Sequence, residues 1–306
     1  VTKGEKMYKD ILEAIGNTPL VRIPFDTKAS VYAKLEYLNP SYSIKARSAL
    51  YLIESAEKNG MLKPGGTIID ASSGNHASAV AMIGAAKGYN VILTVPHKIS
   101  QEKLATIKAY GADVVVVEIK DDPQEYHRKA VEIQKNTPNS FMPNQYLNAE
   151  NSRAHYMSTG PEIWKQTNGK ITHLFSGAGT GGTASGSGLF LKEQNPDIKV
   201  IAVDTKCSIL SSDGHPCPYK IEGLGLNFPD SPVIDQDTID EIIPVGDKEA
   251  LSMLKPMAQK YGILAGLSSG AVAYVAKNYV KNLPADALAV MTFADSGRAY
   301  LTKGYY

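Results

Sequence analysis

Short apolar runs of strand length alternate with longer segments of helical period along much of the chain. Thr67–Ala71 precedes Asn75–Lys87, Asn90–Pro96 precedes Ser100–Tyr110, and Asp113–Glu118 precedes Pro123–Lys135. Such alternation predicts a mostly parallel sheet with helices on its faces. A second series follows, with strands at His173–Ser176, Lys199–Asp204 and Leu288–Phe293 and helices at Gly182–Glu193 and Ser269–Lys281. Two α/β units are the simplest account, with a break placed near Gln145. From Cys207 to Asp240 the chain has four prolines and little periodicity, which predicts a long loop of the kind that often serves function.

Composition narrows the partners. At 306 residues, 43% of them hydrophobic, the chain is long enough for two cores. Lys and Arg number 32 against 31 for Asp and Glu, and no basic run concentrates the charge, which argues against nucleic acid and anionic membrane. No apolar stretch is long enough to span a bilayer and no signal-like h-region follows the charged first residues, so a cytosolic protein is expected. Cys207 and Cys217 flank His215 in a spacing that matches no zinc or redox motif; two reduced loop thiols and no metal are expected.

Chemistry concentrates in four segments. Phe175–Gly186 is a glycine-rich turn between a predicted strand and a predicted helix, suited to wrapping a phosphate with backbone N–H groups, helped by the hydroxyls of Thr180 and Thr183. Gly177, Gly179 and Gly182 also satisfy G-x-G-x-x-G, with Asp204 ending the next strand, so pyridoxal phosphate and NAD both remain open at this point. In Asp70–Ala77 the side chains of Ser72, Ser73 and Asn75 gather at a helix start, a cup of donors for a carboxylate; helix capping alone would need one of them. Asn39–Arg47 is a turn running into a helix that carries Lys45, and Gly266–Ala271 is another small-residue turn opening a helix.

Six motifs in order carry a resemblance that runs nearly end to end: Ile15–Ile23 (IGNTPLVRI), Lys34–Pro40 (KLEYLNP), Gly179–Thr183 (GTGGT), Ile221–Gly225 (IEGLG), Gly262–Ala271 (GILAGLSSGA) and Asp295–Gly297 (DSG). Together they resemble the cysteine synthase and cystathionine β-synthase family, the fold-type II pyridoxal-phosphate enzymes, and set the NAD-binding oxidoreductase aside. The resemblance implies a tryptophan synthase β-like α/β fold of two domains: a small mobile substrate domain at 37–145, and a large cofactor-binding domain from 1–36 and 146–306. It also implies a homodimer, and a catalytic core without haem-binding or regulatory extensions. Lys45 matches the lysine that forms the Schiff base with pyridoxal 5'-phosphate. Gly179, Thr180, Gly181, Gly182 and Thr183 match the phosphate loop, Asn75 the residue bonding the ring hydroxyl, and Ser268 the hydroxyl facing the pyridine nitrogen. Ser72, Ser73, His76 and Gln145 fall where the substrate carboxylate is held.

What the resemblance implies chemically is β-elimination and β-replacement on a small L-amino acid through an aminoacrylate. The chain departs from the cysteine synthase pattern at the substrate edge. Ser41–Arg47 (SYSIKAR) stands where Gly-Gly-Ser-Val-Lys-Asp-Arg is typical, and Ser72–Ala77 (SSGNHA) is closer to serine and threonine dehydratases. Asp230, in the loop after Gly225, supplies a carboxylate able to activate water. The expected reaction is therefore that of a hydrogen sulfide-producing cysteine lyase, L-cysteine and water to L-serine and sulfide. Cysteine synthase acting on O-acetylserine is the runner-up and a dehydratase the third reading. A non-catalytic paralogue is disfavoured by Lys45.

Overall fold

Strand β1 (Leu20–Arg22) runs antiparallel to β2 (Ser30–Leu35), and the chain then leaves for a separate α/β unit before returning. The computed structural model describes residues 7–72, 74–119, 124–228 and 230–306. The chain folds into two compact units. One comprises Leu38–Pro143 with the N-terminal residues through Asn17, and the other Thr18–Tyr37 with Asn144–Tyr306.

The first unit begins with α1 (Lys45–Lys58), whose Ala46, Ala49, Leu52, Ile53 and Ala56 recur at helical spacing and are all buried. There follow β3 (Thr67–Ala71), α2 (Asn75–Lys87), β4 (Asn90–Pro96), α3 (Gln101–Ala109), β5 (Asp113–Val117), α4 (Glu125–Lys135) and β6 (Ser140–Phe141). The strands form a parallel sheet in the order β5-β4-β3-β6. Helix α2 is made of small and apolar residues, is buried from His76 through Gly84, and ends at Gly88, whose φ of 74° supplies a left-handed cap. It lies flush on β4: a Cβ on Gly84 would fall 2.2 Å from Val91 Cγ2. Leu12 and Ile15 pack against this core, and the Gly16 N–H donates to Asn39 Oδ1 at 2.8 Å, which ties the N-terminal arm to this unit.

In the second unit, α5 (Glu150–Met157) and α6 (Thr159–Gln166) lead into β7 (His173–Gly177), α7 (Gly182–Gln194) and β8 (Lys199–Thr205). Next come β9 (Glu241–Val245), α8 (Asp247–Leu251), α9 (Leu254–Tyr261), α10 (Leu267–Tyr279) and β10 (Leu288–Phe293). The six-stranded sheet has the order β1-β2-β10-β7-β8-β9, parallel except at β1. Alternate residues of each central strand enter different cores. Phe175, Ile201, Val203 and Met291 join one apolar cluster, while Leu174, Val200, Ala202 and Val290 join another, as helices on both faces require. The fold is thus α/β, each unit having a mostly parallel sheet flanked by helices. Lys34 is fully buried in β2, and its Nζ donates to Thr18 O at 2.7 Å and to Glu162 Oε2 at 2.6 Å, so the charge is paired within the unit.

Between β8 and β9 no helix or strand forms among the described residues, in keeping with the expected long loop. The expectation of two reduced thiols is corrected: Cys207 and Cys217 form a disulfide, with Cα atoms 4.7 Å apart. A turn through Asp213 (φ 50°) and Gly214 (φ 83°) reverses the chain, and the Cys217 N–H donates to Cys207 O at 3.2 Å, so the two side chains are delivered to each other. No helix among the described residues is long and apolar enough to cross a membrane, and none of these residues form a group of metal-binding side chains.

Candidate active site

The glycine-rich turn of the second unit joins the end of β7 to the start of α7. Gly181 is the N-cap residue, with φ of 84°, a conformation that side chains rarely adopt, and the first helical amide, Gly182 N–H, donates to Thr180 Oγ1 at 3.3 Å. Thr183 and Ala184 therefore present amides that the helix itself does not use. The backbone of the turn is hemmed in from outside. A Cβ on Gly179 would fall 2.6 Å from Gly223 O, and one on Gly182 would fall 2.7 Å from Asn151 Oδ1. The Gly225 N–H donates to Ala178 O at 3.0 Å, so the segment Ile221–Gly225, with Gly223 (φ 89°) and Gly225 (φ 119°), is locked against the turn. Ser268, the second residue of α10, is buried beside them, its hydroxyl 3.5 Å from where a Gly223 Cβ would be. Gln145 is buried too, and its Oε1 has no hydrogen-bond partner among the described residues. A helix N-terminus, threonine hydroxyls and backbone close enough to exclude side chains fit a phosphorylated cofactor. The second unit thus gathers the turn, Ser268 and the Gly223 segment, and Asn151 ties Gln145 O to Thr180.

In the first unit, Lys45 opens α1, next to Ser41 and Ser43, whose buried hydroxyls have no partner among the described residues. Ser72 is buried, with its N–H donating to Thr94 O at 3.2 Å, and Asn75 opens α2 after Gly74. Ser73 lies outside the described residues. His76 is turned inward: its Nε2 is 2.8 Å from Asp70 Oδ2, an ion-pair distance at an angle unsuited to a hydrogen bond, and both side chains are buried. The Asp70 carboxylate also accepts from the Ala71 N–H at 2.9 Å, and after burial itself it is the second influence raising the pKa of Tyr126 on α4. Asp230 of the second unit is exposed at a turn, beside Ser231, which bonds the Tyr146 carbonyl.

Sequence patterns did not single out Asn151 and His155, both fully buried on α5 against the threonines of the turn. Their spacing of four, which puts two polar side chains on one helical face, was the available signal. Tyr300 and Tyr306 were missed as well. Tyr300 OH donates to Asp295 Oδ2 at 2.5 Å and Tyr306 OH to Ala265 O at 2.6 Å, bracing the segment of chain that leads into Ser268. Burial, then the Asp295 charge, pushes both phenols well up, so both act as hydrogen-bond donors.

Fold and site together are those of an α/β enzyme whose glycine-rich turn at the start of a helix has the donors to receive an anionic group. Residues 11–295 match the family described as pyridoxal-phosphate dependent enzyme, and the chain belongs to it, among its cysteine synthase-like members. It is 39% identical to a cysteine synthase of Staphylococcus aureus over 99% of this chain and 98% of that one. It is 43% identical to a cystathionine β-synthase of Apis mellifera over 97% of this chain, which spans 61% of the bee protein's length. Among solved structures, a hydrogen sulfide-producing enzyme from Fusobacterium nucleatum superposes with a TM-score of 0.91 at 37% identity, covering 96% of this chain and 98% of that one.

Proposed function

We propose that the chain acts at the β-carbon of L-cysteine, converting it with water to L-serine and hydrogen sulfide, and that it works as a homodimer. The observation that carries this reading is the altered substrate edge. Ser41–Arg47 and Ser72–Ala77 depart from the cysteine synthase pattern, and in the fold they form the start of α1 and the β3–α2 loop. The likeness to the hydrogen sulfide-producing Fusobacterium enzyme supports the same direction.

When bound, pyridoxal phosphate supplies the electron sink that makes the α-proton of an amino acid removable. The residues divide the remaining work. Gly179, Thr180, Gly181, Gly182 and Thr183 hold the phosphate through N–H and hydroxyl donors, and Asn75 orients the ring through its hydroxyl. Ser268 would offer the pyridine nitrogen a hydroxyl rather than a carboxylate, which would favour β-chemistry over transamination. Lys45 Nζ would anchor the cofactor and is the amine proposed to take the substrate's α-proton. Ser72, Ser73 and Gln145 bind the substrate carboxylate, with His76 supporting their loop from behind through Asp70. Asp230 removes the proton from the attacking water.

Cysteine synthase remains the second reading, favoured by the end-to-end match to the Staphylococcus aureus protein. Separate incubations of the purified holoenzyme with L-cysteine, L-serine, and O-acetylserine plus sulfide decide between them. Serine and sulfide formed from cysteine alone support the lyase, whereas efficient cysteine formation from O-acetylserine, with no serine from cysteine, overturns it.

A further inference from the structure

His155 is a fully buried titratable side chain that the proposed chemistry does not use. It sits on α5 one turn after Asn151, and α5 lies directly against α7 because α7 carries glycine at the crossing. A Cβ on Gly186 would fall 1.9 Å from Ser152 O. Both ring nitrogens of His155 are engaged: Nδ1 is 2.9 Å from Thr159 Oγ1 and Nε2 is 3.3 Å from Thr183 Oγ1. Asn151 Nδ2 donates to Gln145 O at 2.7 Å and to Thr180 Oγ1 at 3.1 Å. Because a carbonyl only accepts, the bond to Gln145 O fixes which end of the Asn151 amide faces Thr180.

A threonine hydroxyl has one proton to give. If Thr183 spends it on a bare imidazole nitrogen, only lone pairs face the phosphate, and the approach is repulsive. If Nε2 carries the proton and donates to Thr183 Oγ1, the hydroxyl proton is left for a phosphate oxygen. We propose that His155 is a positioning residue that presents an Nε2–H to Thr183, so that Thr183 donates to the cofactor phosphate. Thr159 completes the arrangement by donating to Nδ1, and Asn151 does for Thr180 what His155 does for Thr183. The proposal rests on the reading of Gly179–Thr183 as the phosphate loop and goes beyond it, because it assigns the proton that makes the loop a donor.

Nitrogen-15 NMR of histidine-labelled holoenzyme, with the His155 signals assigned by their loss in His155→Gln, reads the tautomer directly. The expected result is a protonated Nε2; a bare Nε2 overturns the proposal. Retention of pyridoxal phosphate by the holoenzyme on dilution, followed by cofactor absorbance, gives a second readout. His155→Leu should weaken retention roughly tenfold, the scale of one hydrogen bond to a charged acceptor. His155→Gln keeps an N–H donor and should stay within about threefold of wild type. In a Thr183→Val background, His155→Leu should add less than about a twofold loss, because the hydroxyl it orients is gone. An equal loss in both backgrounds would mean that His155 is merely structural. Wild-type protein that takes up no pyridoxal phosphate would instead remove the phosphate-loop reading itself.

Discussion

Gly186→Ala sets two effects of opposite sign against each other. Replacing glycine by alanine inside a helix ordinarily stabilises it by about 1 kcal/mol. Here the new methyl group would lie 1.9 Å from Ser152 O, 2.8 Å from its carbonyl carbon and 3.0 Å from Tyr156 N, all backbone atoms that cannot rotate aside. Ordinary van der Waals separation is roughly 3.5 Å, so α5 must retreat from α7 by about 1.5 Å. Overpacking of this kind costs about 1–3 kcal/mol, and collision with rigid backbone places it at the upper end. A net destabilisation of about 2 kcal/mol is expected. The same retreat draws Asn151 and His155 away from Thr180 and Thr183, so pyridoxal phosphate retention should fall as well. Gly188→Ala is the control, since its methyl group would meet side chains, Thr238 Cγ2 at 2.8 Å and Val200 Cγ2 at 2.9 Å, which can adjust. Urea unfolding of the two variants, together with cofactor absorbance, measures both effects. A Gly186→Ala protein more stable than wild type, with cofactor retention unchanged, would refute the claim that α5 holds the phosphate loop through this crossing.

Ser268→Asp should retain cofactor yet lose most β-elimination, because a carboxylate there would stabilise a protonated pyridine nitrogen; near-normal turnover in amino-acid assays would count against the electronic argument. Cys207→Ser with Cys217→Ser, or reduction by dithiothreitol, should lower stability by roughly 2–3 kcal/mol in urea titrations, the entropy of a loop with a sequence separation of 10; no change would show that the bond adds nothing to the fold. Asp240 gives a pH test. Burial opposes its charge, but hydrogen bonds from Lys192, the Val200 N–H and Lys199 outweigh burial and hold its pKa down to about 2, below the unfolded value of about 3.9. The folded state therefore releases this proton more readily, and the stability it contributes is present above about pH 4 and is lost as pH falls through about 2. Asp240→Asn should cost stability near neutral pH and little near pH 2, read from chemical unfolding at both; an equal loss at both would refute the linkage.

The fold was legible where the pattern was clean. Helix α2 and strands β3, β4 and β10 stand at the limits read from the sequence, because most of their residues are small or apolar and turn residues bound them. Strand β2 escaped because Lys34 interrupts its apolar run, and that lysine can be an interior residue because it pairs with Glu162, far away in sequence, and bonds the Thr18 carbonyl. Strand β6 has two residues and no pattern to detect. The glycine-rich turn between β7 and α7 could be read because glycine at fixed offsets has a local reason, the close backbone approach and positive φ found there. Helix α5 could not, since Asn151 and His155 look like surface positions until α7 covers them. The disulfide depends on a turn at Asp213 and Gly214 that spacing alone does not specify.

The central claim is that Lys45 and the Gly179–Thr183 turn hold pyridoxal phosphate in one working enzyme. Borohydride reduction of the purified holoenzyme, followed by peptide mapping, tests it most directly. The account predicts one phosphopyridoxyl group per chain, on Lys45, absent from Lys45→Ala and much diminished when Thr180 and Thr183 are both replaced by Val. A cofactor fixed to a different lysine, or a Lys45 peptide labelled equally in the double threonine variant, would contradict it.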